Sequence, residues 1–166
     1  PRGLTIQQIN EIYNVARKNN FEVLVKSRAK HPIAAGCEGD RCFYDDSWFP
    51  YTSMELMQIS DLVIAVDSTA AKECVLQKVP FINISLKNEK VCTSTENLFS
   101  PLFKFDFCKN YKGFPGVSEL DKSVKYLTAN DFTEGFDKAI ESYLFRTGES
   151  SKNIADLILS EEEIRK

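Results

Sequence analysis

The sequence predicts an α/β domain in which helices cover both faces of a mainly parallel sheet. Helix and strand patterns alternate with short connections through the first half of the chain. The run LVIAV (62–66) is apolar with no polar alternation, and FINI (81–84) has the same character after one intervening helix. A strand covered on both faces loses the alternation of a half-buried one, and strands joined through helices form right-handed crossovers onto a parallel sheet.

TIQQINEIYNVARK (5–18) spaces Ile6, Ile9, Ile12 or Tyr13 and Ala16 by three and four behind Thr5 as a cap, with Arg17 and Lys18 in the last turn. This is an amphipathic helix, broken by Asn19-Asn20. FEVLVK (21–26) alternates and is rich in β-branched and aromatic residues, so it reads as a strand. Residues 27–50 are irregular, with one short strand around Cys42–Tyr44. Thr52 and Glu55 have capping-box spacing and open a helix ending near Ser60. LVIAV then reads as a central strand, followed by a helix over 70–77, Lys78-Val79-Pro80 and FINI.

Beyond residue 85 the pattern is weaker. Residues 85–119 hold five of the twelve Phe, expected to pack as a loop-and-strand cover over the sheet, with a turn at Lys112–Gly116. Ser118 or Asp121 can cap a short helix. Thr128–Phe145 fits a longer one, with Phe132, Phe136, Ala139, Ile140, Tyr143 and Leu144 on one stripe. A last amphipathic segment carries Ile154, Leu157 and Ile158.

The totals agree with one domain over 1–166: 43% apolar residues can form a substantial core. A net charge of −3 argues against a general nucleic-acid or membrane-surface binder but permits a local anion site. Five cysteines, at 37, 42, 74, 92 and 108, are odd in number and form no CxxC pair, as expected of free thiols in a reducing compartment. No apolar run approaches the ~20 residues of a membrane span, and Pro1-Arg2-Gly3 opens no signal peptide. The expectation is a soluble, cytoplasmic chain cut from a longer one.

Chemistry-bearing residues gather at two strand ends. Asp67-Ser68-Thr69 follows Val66, where ligands of parallel sheets sit and where a helix start presents unpaired N–H groups. Two readings stand there: Asp67 or Ser68 caps the helix, or the Ser68 and Thr69 hydroxyls join the N–H groups in a phosphate site. Glu73, four residues after Thr69, is either a solvent-facing residue or an acceptor for a vicinal diol. KSRAKHP (26–32) places Lys26, Arg28, Lys30 and the only histidine, His31, after another strand, as an exposed charged loop or a local anion site. Asp45-Asp46 reads as an ordinary turn. GxSxG, GxxxxGKS/T and GxGxxG are all missing from the sequence, as are HExxH and any cysteine cluster; no metal or other cofactor is expected.

On these residues the chain resembles a known group. The run SMELMQISDLVIAVDSTAAKECVLQKVPFINI (53–84) is similar to the donor-binding, Rossmann-like half of GT-B-type glycosyltransferases, above all the surface-polysaccharide transferases related to CDP-glycerol glycerophosphotransferase. Ser60-Asp61, Asp67-Ser68-Thr69, Glu73 and Lys78-Val79-Pro80 match its short motifs, and Lys26 and His31 match a K-x-H-P-like element. There are departures: four residues separate Lys26 from His31, and Val79 stands where glycine is more usual.

The resemblance implies that Ser68 and Thr69 hold a donor diphosphate, that Glu73 holds the ribose, and that Lys26, Arg28 or Lys30 supplies the cation, with His31 as the catalytic candidate. Thr69→Ala and Arg28→Ala are then expected to weaken nucleotide binding. The implied partners are a nucleotide-activated sugar or glycerol donor and a separate N-terminal acceptor domain, with no nucleic acid and membrane association only through the full-length protein. The first strand of this half would lie ahead of Thr5, and the domain would be inactive alone. Two competitors remain. One is half of a UDP-N-acetylglucosamine 2-epimerase-like enzyme; the other is a non-catalytic interaction module using the Phe-rich segment 99–114 as its contact surface.

Overall fold

The computed structural model describes residues 3–26, 33–44, 52–66, 68, 70–86 and 101–143. Helix α1 spans Ile6–Lys18 behind a complete capping box: Thr5 Oγ1 accepts from the Gln8 N–H, and Gln8 Oε1 from the Thr5 N–H. Asn20, at φ 64°, turns the chain out of α1, since asparagine tolerates the left-handed region better than most residues. Strands β1 (Leu24–Lys26) and β2 (Arg41–Phe43) then pair in parallel.

Helix α2 (Thr52–Gln58), strand β3 (Val63–Val66), helix α3 (Ala71–Leu76) and strand β4 (Phe81–Ser85) continue the predicted alternation. Thr52 lies inside α2, not ahead of it. A 3-10 turn, Leu102–Lys104, precedes β5 (Cys108–Lys112), and helices α4 (Val117–Ala129) and α5 (Thr133–Tyr143) follow.

The result is a small α/β fold with two parallel sheets, β1-β2 and β3-β4-β5. Apolar clusters lie on both faces of the larger sheet. Phe81, Phe107 and Cys108 pack with Met57 of α2, Cys74 and Val75 of α3, and Phe136 and Ala139 of α5. Ile82 and Ile84 pack on the opposite face with Ile12 and Val15 of α1 and Leu120, Val124 and Leu127 of α4. Each fully buried side chain of this size stabilises the fold by roughly 1.5–3 kcal/mol.

Several expectations need correction. LVIAV, expected as a central strand, supplies β3, which among the described residues has a hydrogen-bonded neighbour only in β4; β4, buried along Phe81–Ile84, lies between β3 and β5. The segment expected as a cover supplies β5, a further parallel strand whose Lys109, Asn110 and Lys112 hide it in the sequence. Within the segment 99–114, Phe107 is fully buried and the partly buried Phe103 and Phe105 pack against the same cluster, so these three rings contribute to the core.

Helix α4 starts behind Gly116, whose φ of 80° favours glycine, rather than at Ser118 or Asp121. The single helix expected over 128–145 is broken between α4 and α5. Asn130 is extended and donates to the Tyr126 carbonyl, while Asp131 Oδ1 accepts from both the N–H and the hydroxyl of Thr133. The predicted segment around 154–158 and Asp45-Asp46 lie outside the described residues.

Candidate functional site

A cleft of about 410 Å³ lies where β1 and β3 end. Aliphatic residues of β3 and Leu56 and Met57 of α2 form part of its wall, but the surface it presents is more polar than apolar, with Lys26, the last residue of β1, Ser68, two residues past β3, Glu73, in the first turn of α3, and Ser53 and Ser60 among its lining. Lys26, Ser68 and Glu73 are each half-buried. Among the described lining residues Lys26 is the cation and Glu73 the anion, so one part of the cleft favours an anionic group and another a hydrogen-bond donor.

Ser68 Oγ accepts from the Ala70 N–H at 3.2 Å, ordering the turn into α3. That helix has Ala70 at its N-cap in helical geometry, without a side-chain cap. Ser68 is therefore a turn-forming residue and not the cap of the predicted 70–77 helix. At six residues, α3 also presents a shorter run of aligned peptide dipoles than that prediction implied.

Three of the predicted site residues thus share one cleft. Asp67, Thr69, Arg28, Lys30 and His31 lie outside the described residues.

Ser53 and Met57 were read in the sequence only as parts of a helix. Their one available signal was the apolar spacing of α2, which indicates a buried face but not what it faces. Cys74 lies against this wall, its Sγ 4.0 Å from Met57 Sδ. Burial, with the nearby Glu73 charge acting in the same direction, pushes its thiol up to about 12, so Cys74 packs rather than attacks. Cys37, Cys42, Cys74 and Cys108 are unbridged.

Among the described residues no group of three His, Cys, Asp or Glu side chains could hold a metal ion, and no helix is long and apolar enough to cross a membrane. The chain matches no protein-family model, no curated protein and no solved structure.

Proposed function

We propose that the cleft binds the nucleotide part of an activated sugar or glycerol donor, in a Rossmann-like domain that forms the donor half of a GT-B-type glycosyl- or glycerophospho-transferase. The supporting observation is that Lys26, Ser68 and Glu73, far apart in sequence, line one cleft where two parallel-sheet strands end. Open α/β sheets bind their ligands at this edge.

In this reading Lys26 pairs with the donor phosphate, while Ser68 and the neighbouring Thr69 add hydroxyl contacts. Glu73 accepts hydrogen bonds from the ribose diol. Transfer is a displacement at the donor, and the cations stabilise negative charge that grows on the leaving nucleotide as its bond breaks. Because α3 is short, Lys26 and the basic residues Arg28 and Lys30 that follow it carry more of this stabilisation than the helix end.

Calorimetric titration with CDP and UDP tests the reading. Lys26→Ala and Arg28→Ala weaken both nucleotides by about tenfold, and Ser68→Ala and Thr69→Ala by less, in keeping with charged against neutral hydrogen bonds. Glu73→Gln weakens CDP but leaves the affinity for 2′,3′-dideoxy-CDP unchanged. If the unaltered chain binds neither nucleotide, or all five variants titrate like it, the site is rejected.

A further inference from the structure

A second cavity, of about 710 Å³, runs along α1 from Leu4 ahead of the helix to Asn20 behind it. Ile9, Phe21, Val23, Leu62, Ile64 and Val66 line it, and all six are only partly buried although they pack against the core between α1 and α4. Ile, Leu, Val and Phe are among the residue types most often fully buried, and a contiguous half-exposed set of them marks a surface that something else covers. The cavity presents more apolar than polar surface, and its size falls within the roughly 300–1,000 Å³ of small-molecule sites.

Its charges are unevenly placed. Among the described lining residues, Arg41 Nε donates to Glu22 Oε1 at 2.6 Å, so these two offset each other. Asp61 stands exposed ahead of β3, while Lys26 closes β1 half-buried at the opposite end, where the cavity adjoins the cleft. From Asp61 to Val66 the β3 side extends for roughly 16 Å, and α1 flanks it for roughly 20 Å. A cavity this long for its volume suits a flexible chain better than a compact ring system.

We propose that this slot binds a fatty acid, with its hydrocarbon chain lying along α1 and its carboxylate at Lys26. A single lysine balances a monoanion; a phosphate head would bring a second charge that no other described lining cation offsets, Arg41 being held by Glu22. The lysine ammonium has three donors, so the carboxylate adds to its existing contacts. Asp61 at the far end repels a second carboxylate, which favours a monocarboxylate over a dicarboxylate of equal length. Each pair of methylenes that enters the slot tightens binding by about tenfold. This inference stands whether or not the adjoining cleft binds a nucleotide.

Calorimetric titration of the whole chain with octanoate, decanoate and dodecanoate, each below its micelle concentration and with no nucleotide present, tests this. Affinity rises about tenfold for every two carbons, at one site per chain. Lys26→Gln weakens decanoate by about tenfold and leaves uncharged decanol unchanged. Ile9→Trp, whose ring fills the slot, abolishes binding while the melting temperature holds; should that variant fail to fold, the chain-length series and Lys26→Gln decide. No binding of dodecanoate at millimolar concentration, an affinity independent of chain length, decanoate binding unaltered by Lys26→Gln, or full binding by a folded Ile9→Trp each overturns the proposal. So does binding to phosphatidylglycerol vesicles without binding of monomeric dodecanoate, which marks a membrane-surface site instead.

Discussion

Asn19 donates from Nδ2 to both the Val15 carbonyl and the Asp121 carboxylate, each at 2.8 Å, fastening the C-terminal end of α1 to α4. Lys125 reaches the other Asp121 oxygen at 2.8 Å. The hydrogen bond from Lys125, then that from Asn19, holds the Asp121 carboxyl down to about 2, against an ordinary 3.8. Its folded pKa is depressed, so its contribution is complete above the ordinary carboxylate range and is lost as pH falls toward about 2. Urea melts of the unaltered chain and Asp121→Asn should differ most near neutral pH and converge as pH drops through that window. A constant difference would show that the carboxylate charge contributes nothing.

Phe107 is fully buried and stacks on Phe136 at 4.2 Å and Phe105 at 5.1 Å. Phe107→Ala should cost about 3–5 kcal/mol by lost transfer energy plus a cavity, and Phe107→Leu clearly less. Denaturant unfolding reads both. A loss below about 1 kcal/mol would place the ring outside a packed core.

Gly39 is fixed by close approach rather than by backbone angle. A Cβ there would lie 2.6 Å from both the Val23 carbonyl oxygen and Val25 Cγ2. Gly39→Ala must push β1 aside and should destabilise by about 1–3 kcal/mol. Gly3→Ala, with nothing within 4 Å, should be near neutral. Thermal melts of the pair check the contrast.

Lys78 occupies the left-handed position of a Schellman ending to α3, at φ 55°. The Val79 N–H reaches the Cys74 carbonyl at 2.9 Å, and the Lys78 N–H reaches that of Val75 at 3.1 Å. A β-branched residue is a steric outlier there, so Lys78→Val should lose about 1–2 kcal/mol by denaturant unfolding. Lys78→Gly should lose little, because relief of strain offsets the exposed ion pair with Asp137 at 2.6 Å.

How much of this was legible follows from the range of each interaction. The Thr5 box, the Asn19-Asn20 break and the strand character of 63–66 and 81–84 depend on residues within about one turn or a few strand positions of one another. The break at 130–132 and the start at Gly116 also rest on local hydrogen bonds and torsions, but the apolar stripe running from Phe132 toward Tyr143 masked the first, and the cap-forming side chains of Ser118 and Asp121 drew the second further along the chain. The candidate site was half legible. Lys26, Ser68 and Glu73 could be chosen for their chemistry, whereas the wall of Ser53 and Met57 could not, because helix periodicity names a buried face without naming its neighbour.

By itself the sequence determined the α/β class and the need for cover on both faces of the strands, since apolar runs without alternation cannot face water on either side. Only the tertiary structure decided that, among the described residues, β4 lies between β3 and β5 and that polar-looking β5 is a parallel strand of that sheet. Strand order and pairing arise from backbone groups that every residue carries alike, so side-chain pattern alone does not encode which edge meets which.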